Sequence, residues 1–142
     1  FPFVARMNPD GTLDEQSEWT VKEIGKWIEV NGKAIYETRP WKQFGEGPTA
    51  FATSTKAESE ARQFTGEDFR FTAKDDTLYA IAMGKPSRGG WLIRSLESEK
   101  VSTASVLGTK YTSWRNTPEG LWVASPTKWP CEHAWGIEIH TD

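Results

Sequence analysis

Apolar side chains near the start of the chain recur with a helical period, and those beyond Phe69 alternate with polar ones. Val21, Ile24 and Ile28 lie three and four residues apart, with Trp27 beside Ile28, which makes one apolar stripe on a helix. Asp10-Gly11-Thr12 makes a turn ahead of it, and Asp14 and Glu15 put negative charge where a helix N-terminus favours it. Asn31-Gly32 follows the last periodic residue, and glycine is a common stop there. The pattern predicts a helix over roughly 14–30.

Residues 37–49 break both periods. Arg39-Pro40-Trp41 and Gly45-Glu46-Gly47-Pro48 read as an ordered loop or linker, because proline restricts the residue before it and the glycines interrupt any alternation. Short strands follow. Phe69 and Phe71 alternate with polar residues, and Lys74-Asp75-Asp76 turns into a strand with Leu78, Ala80 and Ala82 on one face. Tyr79, Ile81 and Met83 occupy its other face. Ser87-Arg88-Gly89-Gly90 is a turn before Trp91-Leu92-Ile93, and further strands are expected near 100–107, 110–115, 120–125 and 133–140. A weak helical period near Lys56 to Arg62 is the exception after Gly47. Several short strands at close spacing argue a mostly β fold, an antiparallel sandwich preceded by one α-helix. The expected organisation is 1–36 with the helix, 37–49 as linker and 50–142 as sandwich.

Composition narrows the function. The chain has 142 residues, 37% of them hydrophobic and 26% charged, which suits one globular domain with a real core. A formal net charge of −3 supplies no basic field for nucleic acid, so no nucleic-acid partner is expected. No apolar run approaches the ~20 residues of a membrane helix, so no membrane partner is expected either. Cys131 is the only cysteine, which rules out an intrachain disulfide. The chain begins Phe1-Pro2-Phe3 without an initiator Met, from which the expectation is a processed chain or a fragment.

The acidic residues have plain roles. They fall in the first turns of the helix (Asp14, Glu15, Glu18), in a hairpin turn (Asp75, Asp76) or in surface connections (Glu97, Glu99, Glu119). Retaining glycosidases need two carboxyl groups about 5–5.5 Å apart across the sugar, and no such pair is assigned here. Cys131-Glu132-His133 offers two ligand types but no second pair at zinc spacing, so no metal site and no cofactor is expected. His133 and His140 have no nucleophile elbow beside them. Gly45-Glu46-Gly47 lacks the Lys-Ser/Thr of a phosphate loop.

Eight tryptophans are many for this length. Trp27 lies beside the helix stripe, and Trp91, Trp114 and Trp135 sit among apolar strand positions and read as core. Trp122 differs, because Leu121 and Val123 point inward together and alternation turns Trp122 to the other side. Trp129 lies in the Pro-rich stretch 126–130. An outward indole can receive the C–H face of a sugar, which makes Trp122 and Trp129 candidate carbohydrate-binding residues. Packing against another domain explains the same exposure, and that reading is preferred.

The run Ile24-Gly25-Lys26-Trp27-Ile28-Glu29-Val30-Asn31-Gly32-Lys33-Ala34-Ile35-Tyr36-Glu37-Thr38-Arg39-Pro40-Trp41 closely resembles a run in the α-L-fucosidases of glycoside hydrolase family 29. The resemblance continues through Gly45-Glu46-Gly47-Pro48-Thr49, Phe69-Arg70-Phe71-Thr72, Thr77 to Ile81, Ile93 to Leu96 and Val106-Leu107-Gly108, in order. It implies that residues 14–30 correspond to the last helix of a catalytic (β/α)₈ barrel and that the accessory β-sandwich begins near residue 50. The family's nucleophilic aspartate, acid/base glutamate and fucose-contacting histidines lie upstream of this stretch, so none is carried onto a position here. A complete barrel takes ~250 residues.

The resemblance implies a non-catalytic C-terminal part whose partner is the barrel of a complete enzyme that releases terminal L-fucose. Two alternatives stand beside it: a stand-alone sandwich that binds fucosylated glycans, and a self-associating domain. Secreted, periplasmic or lysosomal residence follows from the resemblance alone. Two departures accompany it. Val4-Ala5-Arg6-Met7-Asn8-Pro9 replaces the family's Asn-x-Gly-Pro, and Lys33 replaces its usual Glu at a position expected to face the rest of the barrel.

Overall fold

The helix starts where a side chain can take over from the missing backbone acceptor. In the computed structural model, which describes residues 5–49, 63–97 and 99–142, the Asp14 carboxylate accepts the Ser17 N–H at 2.8 Å. That cap opens α1, Glu15–Asn31, one residue later than the expected start because Asp14 itself is the cap. Gly32 does end α1, but not in a left-handed conformation: its φ is −54°. The chain tightens into a 3₁₀ turn, Gly32–Ala34, and the reversal comes at Glu37, whose φ is 58°.

Among the described residues eight strands follow: β1 Arg39–Glu46, β2 Phe69–Lys74, β3 Thr77–Ala82, β4 Gly90–Ile93, β5 Val101–Val106, β6 Trp114–Thr117, β7 Gly120–Ala124 and β8 Trp135–Thr141. They form an antiparallel five-stranded sheet, β1-β2-β3-β8-β5, and a three-stranded sheet, β4-β7-β6. The β3 alternation is as expected. Leu78, Ala80 and Ala82 join the buried core between the sheets, with Phe69, Phe71, Trp91, Ile93, Leu121, Val123, Ile137 and Ile139. Tyr79 and Ile81 point out of the sandwich, where Ala34, Trp27, Met83, Leu107 and Ala134 pack on them. The molecule is therefore layered: helix, five-stranded sheet, three-stranded sheet.

Two expectations need correction. Residues 39–46, read as loop or linker, form β1, an edge strand paired with β2. Proline is tolerated there because an edge strand does not need every N–H. The register shifts between Pro40 and Gly45, and Gly45 lies so close to β2 that a Cβ would meet the Phe69 carbonyl. The strand expected near 110–115 forms instead as β6 at Trp114–Thr117. The helical period near Lys56 to Arg62, the Phe1-Pro2-Phe3 start, Val4 and the expected sandwich start at 50 lie outside the described residues.

The Gly-rich run earns its place by geometry. Gly47 has φ +125°, and a Cβ there would collide with Asp68. Asp68 is fully buried and accepts from the N–H and hydroxyl of Thr49 at 2.9 and 2.7 Å. It also accepts from the N–H and hydroxyl of Thr65, at 2.8 and 3.1 Å. Burial pushes its carboxyl up, and these donors more than offset that, so the group is held below the ordinary aspartate range. Glu46 plays a related part. Its carboxylate accepts from the Arg94 and Ser95 backbone N–H groups at 3.0 and 2.9 Å, capping the second 3₁₀ turn, Arg94–Leu96. No helix among the described residues is long and apolar enough to cross a membrane.

Candidate functional site

The most informative surface is the side of α1 that the sandwich leaves uncovered. The helix is fastened through Trp27 and Asn31, four residues apart and hence on one face. Trp27 Nε1 donates to the Ala134 carbonyl at 2.9 Å. Asn31 is fully buried; its Oδ1 accepts the Gly136 N–H at 2.9 Å, while Nδ2 donates to the Trp27 carbonyl at 3.1 Å and to Cys131 Sγ at 3.4 Å. Gly136 is glycine because a Cβ would lie 2.8 Å from Asn31 Oδ1 and 3.0 Å from Leu107 Cδ1. A polar amide thus inserts into a sheet strand's backbone and fixes how the helix is rotated.

Rotation and position along the helix together decide what the apolar stripe meets, since Ile24, seven residues before Asn31, points nearly the same way from an earlier turn. Successive residues on a helix are about 100° apart, so with Trp27 aimed at the sheet Ile28 points aside. Val21 and Ile24 remain 43% and 41% exposed, Trp19 59% and Tyr36 60%. Tyr36 extends the same strip, since its ring and the Ile28 methyl both lie over Gly32. The helix is docked on its own sandwich by Trp27 and Asn31, and Val21 and Ile24 of the stripe take no part in that docking. Lys33, the charge-reversed position, is exposed at the end of this face, its Nζ 3.8 Å from Glu138.

The tryptophans divide as follows. Trp91 and Trp135 are core, and Trp114 is half-buried against it. Trp129 is half-buried beside Trp91 and Trp135, ring centroids 5.8 and 5.0 Å away, with Lys85 Nζ over its ring at 4.6 Å. Trp122 is turned away from Leu121 and Val123 as alternation requires, and lies half-exposed with the Arg115 guanidinium over its ring at 4.8 Å. The two are on different parts of the surface environment: one wedged in an aromatic cluster, one on a strand's outer side.

Several acidic groups have structural tasks. Asp14 caps α1, Glu46 caps a 3₁₀ turn, and Glu37 pairs with Lys74 at 2.6 Å. Desolvation raises the Glu46 carboxyl, yet its oxygens are already held by Arg94 and Ser95. Glu23 is held below the usual range, first by Lys26 and then by His133. Sequence reasoning missed the Asn31 fastening. The buried asparagine at a helix end gave the same signal as a helix stop.

No family model matches the chain. An α-L-fucosidase of Branchiostoma floridae is 29% identical over 136 residues, covering 92% of this chain and 26% of that protein. The tissue α-L-fucosidase of Mus musculus is 27% identical over 136 residues, with the same coverage of 92% and 26%. The likeness is to the C-terminal region of α-L-fucosidases. This chain spans about a quarter of the length of these fucosidase relatives, 26%. Solved fucosidase structures share its fold. The α-L-fucosidase isoenzyme 1 of Paenibacillus thiaminolyticus superposes with a TM-score of 0.67 at 20% identity, covering 97% of this chain and 30% of that one. The α-fucosidase of Thermotoga maritima gives 0.65 at 22% identity, covering 96% and 29%.

Proposed function

We propose that this chain is the non-catalytic C-terminal part of a retaining α-L-fucosidase and that it braces the enzyme's catalytic barrel through the exposed stripe of α1. The observation that carries this reading is the exposure of the apolar stripe on the earlier turns of a helix whose later turns are fastened to the sandwich. Trp27 and Asn31 commit the later turns of the helix to the sandwich, while Val21 and Ile24 on its earlier turns, and Tyr36 beyond its end, are left exposed, with Ile28 half-buried between them. A stripe of that kind on a single helix marks a docking surface. The similarity to a quarter of several fucosidases supports a partner of this kind, the remaining part of such an enzyme. In the complete enzyme the two carboxylates that attack and protonate the fucoside then come from that remainder.

The test mixes the chain with the Branchiostoma floridae enzyme truncated ahead of the matching region. Association on a sizing column is expected, and Val21→Asp with Ile24→Asp should abolish it. The chain alone should release no nitrophenol from a nitrophenyl α-L-fucoside. Release by the chain, or failure of the unmodified chain to bind the truncated enzyme, overturns the reading. A dimer of the chain that the same double variant dissolves would assign the stripe to a second copy instead.

A second reading, a sugar-binding sandwich, is supported by Trp122, half-exposed beside the Arg115 guanidinium. Titration with fucosylated glycans, following tryptophan fluorescence, tests it. An unchanged signal up to millimolar sugar removes it.

A further inference from the structure

The geometry points to a divalent-cation site of the zinc class at the junction of α1 and the β7–β8 loop, formed by Glu23, Glu132 and His133. One ligand atom from each of these side chains lies within 4.8 Å of the others. Glu23 stands on the helix, and Glu132 and His133 stand on the loop that leads into β8, so the three come from parts of the chain about as far apart as it allows. The sequence expectation of no metal site rested on the absence of paired ligands at short spacing, and here the pairing is made by the fold.

Three observations support ligation beyond simple proximity. First, His133 Nε2 and Glu23 Oε2 are 3.2 Å apart. This is a hydrogen bond, and two ligand atoms about 2.0–2.2 Å from a tetrahedral zinc are separated by about 3.3–3.6 Å, so an ion replacing the shared proton needs this edge to open only slightly. Second, the two oxygens of Glu23 are divided in their tasks. Oε1 accepts from Lys26 Nζ at 3.0 Å, leaving Oε2 toward His133. A ligating carboxylate whose other oxygen is held by a hydrogen bond is the usual outer-shell arrangement.

Third, the ligands stand on fixed supports. Trp27, one turn after Glu23, donates to the Ala134 carbonyl, and Trp135 Nε1 donates to the Cys131 carbonyl at 3.1 Å. The Ala134 N–H in turn donates to the Glu132 carbonyl at 3.0 Å. The backbone around His133 is thereby held, with His133 itself at φ 77°. The Glu23 side chain is only 19% exposed, and the three groups border a cavity of ≈ 280 Å³ shared with Lys26, Trp27, Pro130 and Cys131. His133 is 55% exposed, so the outer position is left to water. One imidazole and two carboxylates are donors that Zn²⁺ accepts, and Mn²⁺ should bind the same set more weakly. A bound ion would clamp helix to loop at the point where the helix rotation is set. This inference does not depend on the proposed docking role.

The experiment is calorimetric titration of the 142-residue chain with Zn²⁺, with thermal unfolding alongside. Saturable one-to-one binding is expected, with a rise in Tm of roughly 5–10 °C at a hundredfold excess over Kd. His133→Asn, which tolerates the left-handed backbone while removing the imidazole, should weaken binding about tenfold or more, as should Glu132→Gln. His140→Asn, on β8 away from the cluster, should leave it unchanged. No saturable binding below millimolar Zn²⁺, binding undiminished in His133→Asn, or equal loss in His140→Asn each overturns the assignment.

Discussion

Replacing Asn31 by alanine should loosen the helix from the sandwich more than any surface change of similar size. The amide is fully buried, and its Oδ1 is the partner of the buried Gly136 N–H at 2.9 Å. Alanine leaves that donor without a partner inside a sheet, where water does not reach, at a cost of about 1–3 kcal/mol. The Nδ2 bonds to the Trp27 carbonyl and Cys131 Sγ go as well. The first is a second bond to an oxygen already within the helix and the other a weak bond to sulfur, so together they add about 1 kcal/mol. A total of about 2–4 kcal/mol corresponds, for a domain of this size, to a Tm lower by roughly 6–15 °C. Differential scanning calorimetry measures it. Amide hydrogen exchange at Gly136 gives a second readout, expected to accelerate in the variant. A Tm within about 2 °C of the parent, with Gly136 exchange unchanged, would refute the reasoning.

Other outcomes follow from the same structure. Asp68→Asn should cost about 1–3 kcal/mol at neutral pH, since it disturbs four donations to a buried group. The folded carboxyl titrates below its ordinary value, so its contribution is complete above about pH 4 and fades as pH falls through the folded value. Urea midpoints of parent and variant should therefore converge in acid; a gap that does not change with pH would contradict this. Gly120→Ala should destabilise by more than about 1 kcal/mol, because φ there is +140° and a Cβ would meet the Ile93 carbonyl. Equilibrium urea unfolding reads it. The Cys131 thiol is raised by burial and donates to the Ala134 carbonyl at 3.2 Å, so it should react with a thiol reagent at pH 8 far more slowly than free cysteine, and at a normal rate in denaturant. Val21→Asp with Ile24→Asp should leave the Tm of the isolated chain within a few degrees, since both side chains are already more than two-fifths exposed.

Much of the fold was legible because local signals and tertiary demands agree. Asp14 and Gly32 bound the helix, and the alternation of Leu78 to Met83 assigned each residue of β3 to its correct side. β1 was not legible, and the reason is physical. Its proline and glycines are the devices of an irregular edge strand, and they are also the residues that end strands. The helix stripe was recognised as apolar, but periodicity reports that a face wants cover without saying which surface covers it. Trp27, beside the stripe, turned out to set the rotation, jointly with an asparagine whose role depends on a strand 105 residues further on. A similar separation, 110 residues between Glu23 and His133, hid the grouping of Glu23 with Glu132 and His133. No short motif links positions that only the fold brings together.

The chain leaves α1 through a 3₁₀ turn and enters β1 at Arg39, with the Ala34 carbonyl held by the Thr72 hydroxyl at 2.6 Å. There is no slack between helix and sheet, so the two cannot swing like a door and its frame. Lengthening this connection by a few flexible residues would leave both pieces intact and joined. The Trp27 and Asn31 hydrogen bonds would still seat the helix, so the short turn is a second lock on a position that two side chains already set.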